Sequence, residues 1–358
     1  MKLEKVLQEY RERIADYLLS GDGRRSFHPE HIRDAALHYL SFGGKTLRPA
    51  TVFLACKAVG GNEEIALPAA AAVEVYHTWT LIHDDIIDRD EKRRGHLTVH
   101  EEFYRRALNE MRYSEEEARH YGLSLGILAG DMLQGWAVSL LCDLCRTSEL
   151  DPELVVFLTN NLMGHVQNTL VEGEMLDIQY SKLPIDKLDI EHIIDMLEKK
   201  TGALYQFAGL AGAMIGLNVN DPEHPAVRTL SEFADKCGTA FQLRDDILGL
   251  IGSEEILGKS VGSDLREGKM TVILYHALVN ANEKQRAILM STAGNASATA
   301  VEIAQTTDLI IELGGIACAQ KLAESYITDA ALCLDGMPNL RHKELLLEWA
   351  RFLISRNY

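Results

Sequence analysis

Apolar residues that recur every three or four positions, with little to interrupt them, restrict this chain to helices. Leu3, Val6, Leu7, Tyr10, Ile14, Tyr17 and Leu18 form one such stripe over 2–19, the spacing of one helix face. The same period runs through 30–41, 49–60, 66–88, 98–110, 114–142, 151–180, 186–217 and 222–251. After residue 269 it resumes over 270–281, 283–292, 298–313, 315–334 and 341–356. Breaks fall at GDGRRSFHPE (21–30), Phe42-Gly43-Gly44 and Gly60-Gly61-Asn62, residues that stop helices or open turns. Pro49 suits the first turn of the helix it begins. The charged stretch 89–97 and the segment 252–269 read as loops. No alternating strand of convincing length occurs, and only 8 Pro are spread over 358 residues. No linker, repeat or low-complexity tract divides the sequence. The expectation is a single all-α domain, 1–358, a large bundle of ten or more helices.

A net charge of −17 argues against nucleic acid as a partner, because phosphate-backbone binding needs clustered Lys and Arg. It leaves room for a small anionic substrate, which needs only a local basic site or a bound metal. No run of 18 apolar residues appears, so stable membrane insertion is not expected. The segment MKLEKVLQEYRERIADYLL is charged throughout and reads as an amphipathic helix, not a signal peptide. Six Cys are scattered along the chain, which gives no disulfide framework and points to a reducing, cytoplasmic setting. Cys142 and Cys145 form one C-x-x-C in an apolar run. Without a second Cys/His pair they read as buried helix thiols, not a zinc or redox site.

The stretch Leu81-Ile82-His83-Asp84-Asp85-Ile86-Ile87-Asp88 closes the helical run at 66–88. Asp84 and Asp88 then lie one turn apart on one face. Two carboxylates so placed repel unless a cation sits between them, and oxygen-only ligands suit a hard ion, Mg²⁺ first. A solvated acidic helix end would look the same in isolation. The pattern recurs, however, in Phe241-Gln242-Leu243-Arg244-Asp245-Asp246-Ile247-Leu248-Gly249, about 160 residues on, and facing helices of a bundle are where such sites are built. Glycine-flanked basic residues accompany both: Gly43-Gly44-Lys45-Thr46-Leu47-Arg48-Pro49, Arg93-Arg94, Lys200-Thr201, Lys259 and Lys269. Singly each is an ordinary surface charge. Together with two Mg²⁺ sites they describe a protein that holds two diphosphates, since Gly admits close backbone approach and Arg and Lys grip phosphate.

From about residue 40 to 275, the chain resembles the trans-isoprenyl diphosphate synthases, or polyprenyl synthetases. The motifs that carry the likeness are GGKTLRP, LIHDDIIDRDEKRRG, Gly130-Asp131, Lys200-Thr201 and FQLRDDILG…GKSVGSDLREGKMT. The pattern is most similar to the archaeal-type geranylgeranyl diphosphate synthases. The resemblance implies the isoprenoid synthase fold, an all-α bundle around a central cavity, usually as a homodimer. It implies joining an allylic diphosphate (dimethylallyl, geranyl or farnesyl) head to tail to isopentenyl diphosphate, with release of pyrophosphate and with three Mg²⁺ per active site.

Carried over by position, Asp84, Asp88 and Asp245 would be the metal ligands, with Asp85 and Asp246 supporting them. Arg93, Lys200, Thr201, Gln242, Lys259 and Lys269 would hold the allylic diphosphate. Lys45, Arg48, His77 and Arg94 would hold isopentenyl diphosphate. Three positions depart from the family pattern: Gly249 replaces the third Asp of the second motif, Leu97 stands where Pro is common, and Glu174 stands where Gln is frequent. The growing product would run from the metals toward the start of the 66–88 helix, past Thr80, Trp79 and Tyr76. Trp79 lies about 7.5 Å below Asp84 along that axis, and a bulky aromatic there limits length in the family. The resemblance therefore favours a C20 product, geranylgeranyl diphosphate, with C15 farnesyl diphosphate as the alternative. A terpene cyclase needs only one diphosphate site, and a non-catalytic partner subunit would have lost the aspartates; both Asp-Asp pairs are intact here.

Overall fold

The computed structural model describes residues 3–19, 27–146, 150–252, 261–337 and 342–356. Among these, helix follows helix from Leu3 to Ser355, and the only strands are two of two residues each. The chain divides into two compact units. The first comprises Met1–Asn161, Ala208–Arg228 and Asn339–Leu345, and the second Leu162–Phe207, Thr229–Pro338 and Leu346–Tyr358.

In the first unit, α1 (Leu3–Leu19), α2 (Glu30–Phe42), α3 (Leu47–Ala58) and α6 (Glu115–Cys142) gather about α4 (Glu63–Asp88), and α5 (Val99–Arg106) packs on α6 and α2. At 26 residues, α4 is about 39 Å long. The Asn62 side chain caps it, accepting the Glu64 N–H at 3.0 Å, and Glu63 and Glu64 complement the positive end of the helix. Ala66 and Ala69–Ala72 are fully buried, small enough for α3 and α6 to close on the axis. Glycines on α6 match them: a Cβ on Gly126 would lie 2.7 Å from Ile86 Cδ1, and one on Gly130 would fall inside the His83 imidazole. Gly130, singled out in the sequence, thus serves close helix approach. Tyr10, Phe53, Phe103 and Leu133 fill the interior, each contributing about 1.5–3 kcal/mol by burial. By length and composition alone, α4 and the stretch Glu115–Arg146 could cross a membrane, yet 67% and 50% of those windows are buried within the protein.

The second unit packs α8 (Gln167–Tyr180) and α9 (Ile190–Leu197) against the turn that follows α9, and Val272–Asn280 against Gly315–Asp335. Tyr205, Phe233 and Trp349 form its aromatic centre, with ring centroids 6.1–6.2 Å apart. Helix α10 (Ala203–Leu217) belongs mostly to the first unit and α11 (Pro225–Ile251) mostly to the second.

Several expected boundaries change. The helix expected at 151–180 is α7 (Pro152–Asn160), a π-helical turn at Asn161–Val166, and α8. The one at 186–217 begins with a 3₁₀ turn, Ile185–Lys187, and continues as α9, a π turn at Glu198–Gly202, and α10. The helix expected at 98–110 is α5 followed by a π turn, Ala107–Met111. The π turns at Asn161–Val166 and Glu198–Gly202 each accommodate one extra residue without ending the helix, so apolar periodicity hides them, whereas Ala107–Met111 closes its helix at the left-handed Arg112. The stretch 89–97, expected as loop, holds a hairpin: Lys92–Arg93 pairs with His96–Leu97 through Arg94 (φ 53°) and Gly95 (φ 79°), the positive-φ pair of a type I′ turn. The loop expected at 252–269 contains a short helix, Ser263–Glu267; residues 253–260 lie outside the described ones. Cys142 and Cys145 are exposed, not buried, because α6 ends there and runs into a surface 3₁₀ turn, Asp143–Arg146.

Candidate active site

The last turn of α4 presents the first acidic motif. Asp84 and Asp88 are half-buried on one face, whereas Asp85 points inward and is fully enclosed. Enclosing a carboxylate is costly unless it is paired and hydrogen-bonded. Asp85 has both compensations: the Tyr39 hydroxyl donates to Oδ2, and Arg93 Nε donates to Oδ1 at 2.6 Å. Arg93 Nη2 also reaches Asp84 Oδ2 at 3.1 Å. Burial works against the Arg93 charge, and Asp85 beside it more than restores it. The type I′ hairpin delivers that arginine, and Asp85 orients it.

Two turns before Asp84, the same helix meets the first basic group. Arg48 Nη1 donates to His77 Nε2 at 3.1 Å, which fixes the remaining imidazole proton on Nδ1, beside Thr80 Oγ1 at 3.4 Å. Burial, then Arg48 and Arg94, push His77 well below the ordinary imidazole range, so it is neutral. Arg94 Nη1 donates to the Gly43 carbonyl at 2.5 Å. A Cβ on Gly44 would stand 2.7 Å from that guanidinium, and Gly43 adopts a positive φ of 71°, so each of the pair has its own reason to be glycine. Lys45 follows, partly buried, ahead of α3. Glu74, one turn before His77 and 8% exposed, is the carboxylate that faces Arg94 and Arg48.

Tyr76, Trp79 and Thr80, which the sequence proposes as limits on product length, lie on α4. Tyr76 is fully buried and Trp79 is 8% exposed. Trp79 is wedged edge-on between Tyr76, at 4.8 Å, and His83, at 5.9 Å. Thr80 turns its hydroxyl onto the His77 carbonyl at 2.8 Å.

The second motif belongs to the second unit. Asp245, at the surface end, is held by Arg356, whose Nη2 donates to Oδ1 at 2.5 Å and whose Cζ lies over the Phe241 ring, 3.9 Å from its centroid. Asp246 is 6% exposed. Its Oδ1 accepts from Gln242 Nε2 at 2.8 Å, and Gln242 Oε1 accepts from Thr201 at 2.9 Å. Its Oδ2 is buried with no hydrogen-bond partner. Burial first, then the Asp264 carboxylate, push Asp246 up to about 8. Lys200, in the π turn, donates to Asp177 Oδ2 at 2.6 Å and pairs with Glu174 Oε2 at 2.9 Å. The departure at Glu174 therefore acts on Lys200. Lys269 pairs with Glu267 at 3.2 Å. Lys259 lies outside the described residues.

These donors fit a hard cation. Among the described residues, no three His, Cys, Asp or Glu side chains converge to cage a metal by themselves. Mg²⁺ commonly takes one or two carboxylates and completes its shell with water and substrate phosphates. The unpartnered Asp246 Oδ2, crowded by like charge, is the kind of group such an ion relieves. The sequence signalled the aspartates, Arg93, Arg48, His77, Lys200 and Gln242. It did not signal Tyr39, Glu74, Asp177, Asp264 or Arg356; of these, only Asp264 lies inside a stretch already marked as a motif.

A family model described as polyprenyl synthetase matches residues 29–310. A geranylgeranyl diphosphate synthase of Methanosarcina mazei is 36% identical over 331 residues, 92% of this chain and 91% of that protein. A geranylgeranyl pyrophosphate synthetase structure from Pyrococcus horikoshii superposes with TM-score 0.81 at 31% identity, covering 99% of this chain and 100% of that one. A geranylgeranyl pyrophosphate synthase from Corynebacterium glutamicum, solved with isoprenyl diphosphate and magnesium, gives TM-score 0.83 at 27% identity, covering 99% and 100%.

Proposed function

This chain belongs to the polyprenyl synthetase family of prenyltransferases, and from that premise we propose that it joins isopentenyl diphosphate to allylic diphosphates, head to tail, as far as geranylgeranyl diphosphate. The observation that carries the reading is the double provision of α4. Its last turn offers Asp84, Asp88 and the Asp85-anchored Arg93, and two turns earlier His77 meets Arg48 beside Arg94. One helix thereby serves a metal–diphosphate site and a metal-free basic site, as two diphosphate substrates require.

Asp84, Asp88 and Asp245 hold the metal ions, three in our reading, and Asp85 and Asp246 keep Arg93 and Gln242 in place. Bound there, Mg²⁺ supplies charge neutralisation for the departing pyrophosphate. Arg93, Lys200, Thr201, Gln242, Lys259 and Lys269 grip the allylic diphosphate. Lys200 exchanges its carboxylate partners, Glu174 and Asp177, for phosphate oxygens. Arg48, Arg94 and Lys45 take the diphosphate of the second substrate, and neutral His77 steadies Arg48. The allylic C–O bond breaks with its electron pair leaving on pyrophosphate. The double bond of isopentenyl diphosphate attacks the allylic carbon, and a proton is lost to the released pyrophosphate. Apolar walls keep the cation dry.

Trp79, braced by Tyr76 and His83, is the floor that favours C20, with C15 as the second product. We take residues 1–358 as one polyprenyl synthetase domain and the protein as a cytoplasmic homodimer. In support of pairing, the adjacent Ile127 and Leu128 on α6 remain 49% and 53% exposed in a single chain, apolar surface that a second copy would cover. The test is to incubate the protein with Mg²⁺, isopentenyl diphosphate and each allylic diphosphate in turn, and to size the products. Asp84→Ala and Asp245→Ala should abolish condensation while leaving a folded protein; near-normal turnover in either would sink the assignment.

A further inference from the structure

The hairpin that carries Arg93 and Arg94 is too small to hold its own position. Its strands, Lys92–Arg93 and His96–Leu97, are two residues each, and an isolated two-stranded hairpin is at best marginally stable in water. Thr98 closes its base: Oγ1 donates to the Asp90 carbonyl at 2.8 Å, and the N–H donates to the Glu91 carbonyl at 3.1 Å. Those bonds stay within the segment and do not fix where it points. The bonds of the two guanidiniums are no substitute, because phosphate competes for the same N–H groups.

Anchors that use neither arginine come from two residues one turn apart on α2. His38 Nε2 lies 2.9 Å from the Leu97 carbonyl. A carbonyl only accepts, so Nε2 carries the proton. Burial, the largest influence on His38, holds it below the ordinary imidazole range, and the ring is neutral. Phe42 stacks flat on His96, with ring centroids 3.9 Å apart and planes at 9°. It also meets His38 edge-on at 4.7 Å. Phe42 is the last residue of α2, and the next one, Gly43, offers its carbonyl to Arg94. At 40% exposure the Phe42 ring adds little to the core; it meets the hairpin and His38 instead.

Resting on the reading of Arg93 and Arg94 as ligands of the two diphosphates, we propose that His38 and Phe42 are positioning residues for both substrate sites. From outside those sites they hold the single hairpin on which both arginines ride. Shifting the hairpin displaces both guanidiniums at once. A defect on α2 should therefore weaken both substrates together, whereas loss of one arginine acts mainly on its own substrate.

The test uses the full-length protein and steady-state kinetics with Mg²⁺, varying isopentenyl diphosphate and an allylic diphosphate separately. His38→Phe keeps a ring and loses the donor, and His38→Gln restores an N–H at about the reach of Nε2. Phe42→Ala removes the stack, and Phe42→Tyr restores it. His38→Phe and Phe42→Ala should each raise the KM for both substrates about fivefold, the worth of one neutral contact, with kcat changed by less than about twofold. His38→Gln and Phe42→Tyr should bring both KM values back near wild type. A purely structural role would lower the thermal midpoint and the fraction of active enzyme, and hence kcat, without moving KM. Unchanged KM for both substrates, a rise confined to one of them, or no rescue by the Gln and Tyr variants overturns the proposal. Arg93→Ala and Arg94→Ala serve as references: if neither alters either KM, the diphosphate reading falls and the proposal with it.

Discussion

Tyr39→Phe removes a single oxygen from the interior and tests how the first acidic motif is held. The Tyr39 hydroxyl donates to Asp85 Oδ2 and accepts from the Val99 N–H at 3.2 Å. Both partners are buried, Asp85 fully and Val99 at 1% exposure. Phenylalanine fills the same ring volume, so no packing term enters. A lost hydrogen bond to a charged group costs about 1.5–3 kcal/mol, and the orphaned N–H about 1–3 kcal/mol. Allowing for local relaxation, about 3 kcal/mol is expected. Unfolding entropy of about 2.1 cal/mol/K per residue over 358 residues gives roughly 0.75 kcal/mol/K, hence a midpoint lowered by about 4 °C. Asp85 then keeps Arg93 alone, so the guanidinium beside Asp84 is less firmly placed and the KM for the allylic diphosphate should rise. Thermal denaturation by circular dichroism and steady-state kinetics measure both. A midpoint within about 1 °C of wild type with unchanged KM would refute the assignment of Tyr39 as the second anchor of Asp85.

Other consequences are equally direct. Asp235 is raised to about 6 by burial and then by Glu198, so the folded state binds its proton more tightly than the unfolded chain does. That contribution is complete below about pH 4 and is lost as pH rises through about 6, at 1.36 kcal/mol per unit. Urea unfolding of Asp235→Asn should therefore show a flatter pH slope and a gain of up to about 3 kcal/mol at pH 7.5; a slope identical to wild type would count against it. Gly173→Ala places a methyl group against the Lys200 backbone nitrogen. It should cost about 1–3 kcal/mol by overpacking and lower kcat/KM, whereas full activity at an unchanged midpoint would show that the π turn yields freely. Trp79→Ala should lengthen the product, read by chromatography of the dephosphorylated alcohols, at a stability cost of about 3–5 kcal/mol. An unchanged product distribution would place the floor elsewhere.

Helices were readable because their apolar period survives local irregularity, and the aspartates were readable because their spacing is short. What escaped was long-range or conformational. Tyr39 meets Asp85 across 46 positions, and Arg356 meets Asp245 across 111; no local pattern encodes such pairs. The hairpin at Lys92–Leu97 rests on positive φ at Arg94, where sequence rules look for Asn or Gly. The thiols at Cys142 and Cys145 were misplaced because an apolar run says nothing about where a helix reaches the surface. Departures from the motif proved informative: Glu174 is a partner of Lys200, and Gly249 marks the space filled by Asp264.

The π turn at Glu198–Gly202 has a meaning for how this segment tolerates change. Deleting one residue there would leave a well-formed α-helix, with no broken hydrogen-bond ladder to betray the loss. The helix on either side would keep its phase, because the wide turn is what absorbs the extra residue; only the residues inside the turn would change direction. Lys199 is now tied to Glu172 and Asp195, and Lys200 to Glu174 and Asp177; a healed helix would send these adjacent lysines toward each other's partners. In this stretch the number of residues carries information as surely as their identity does.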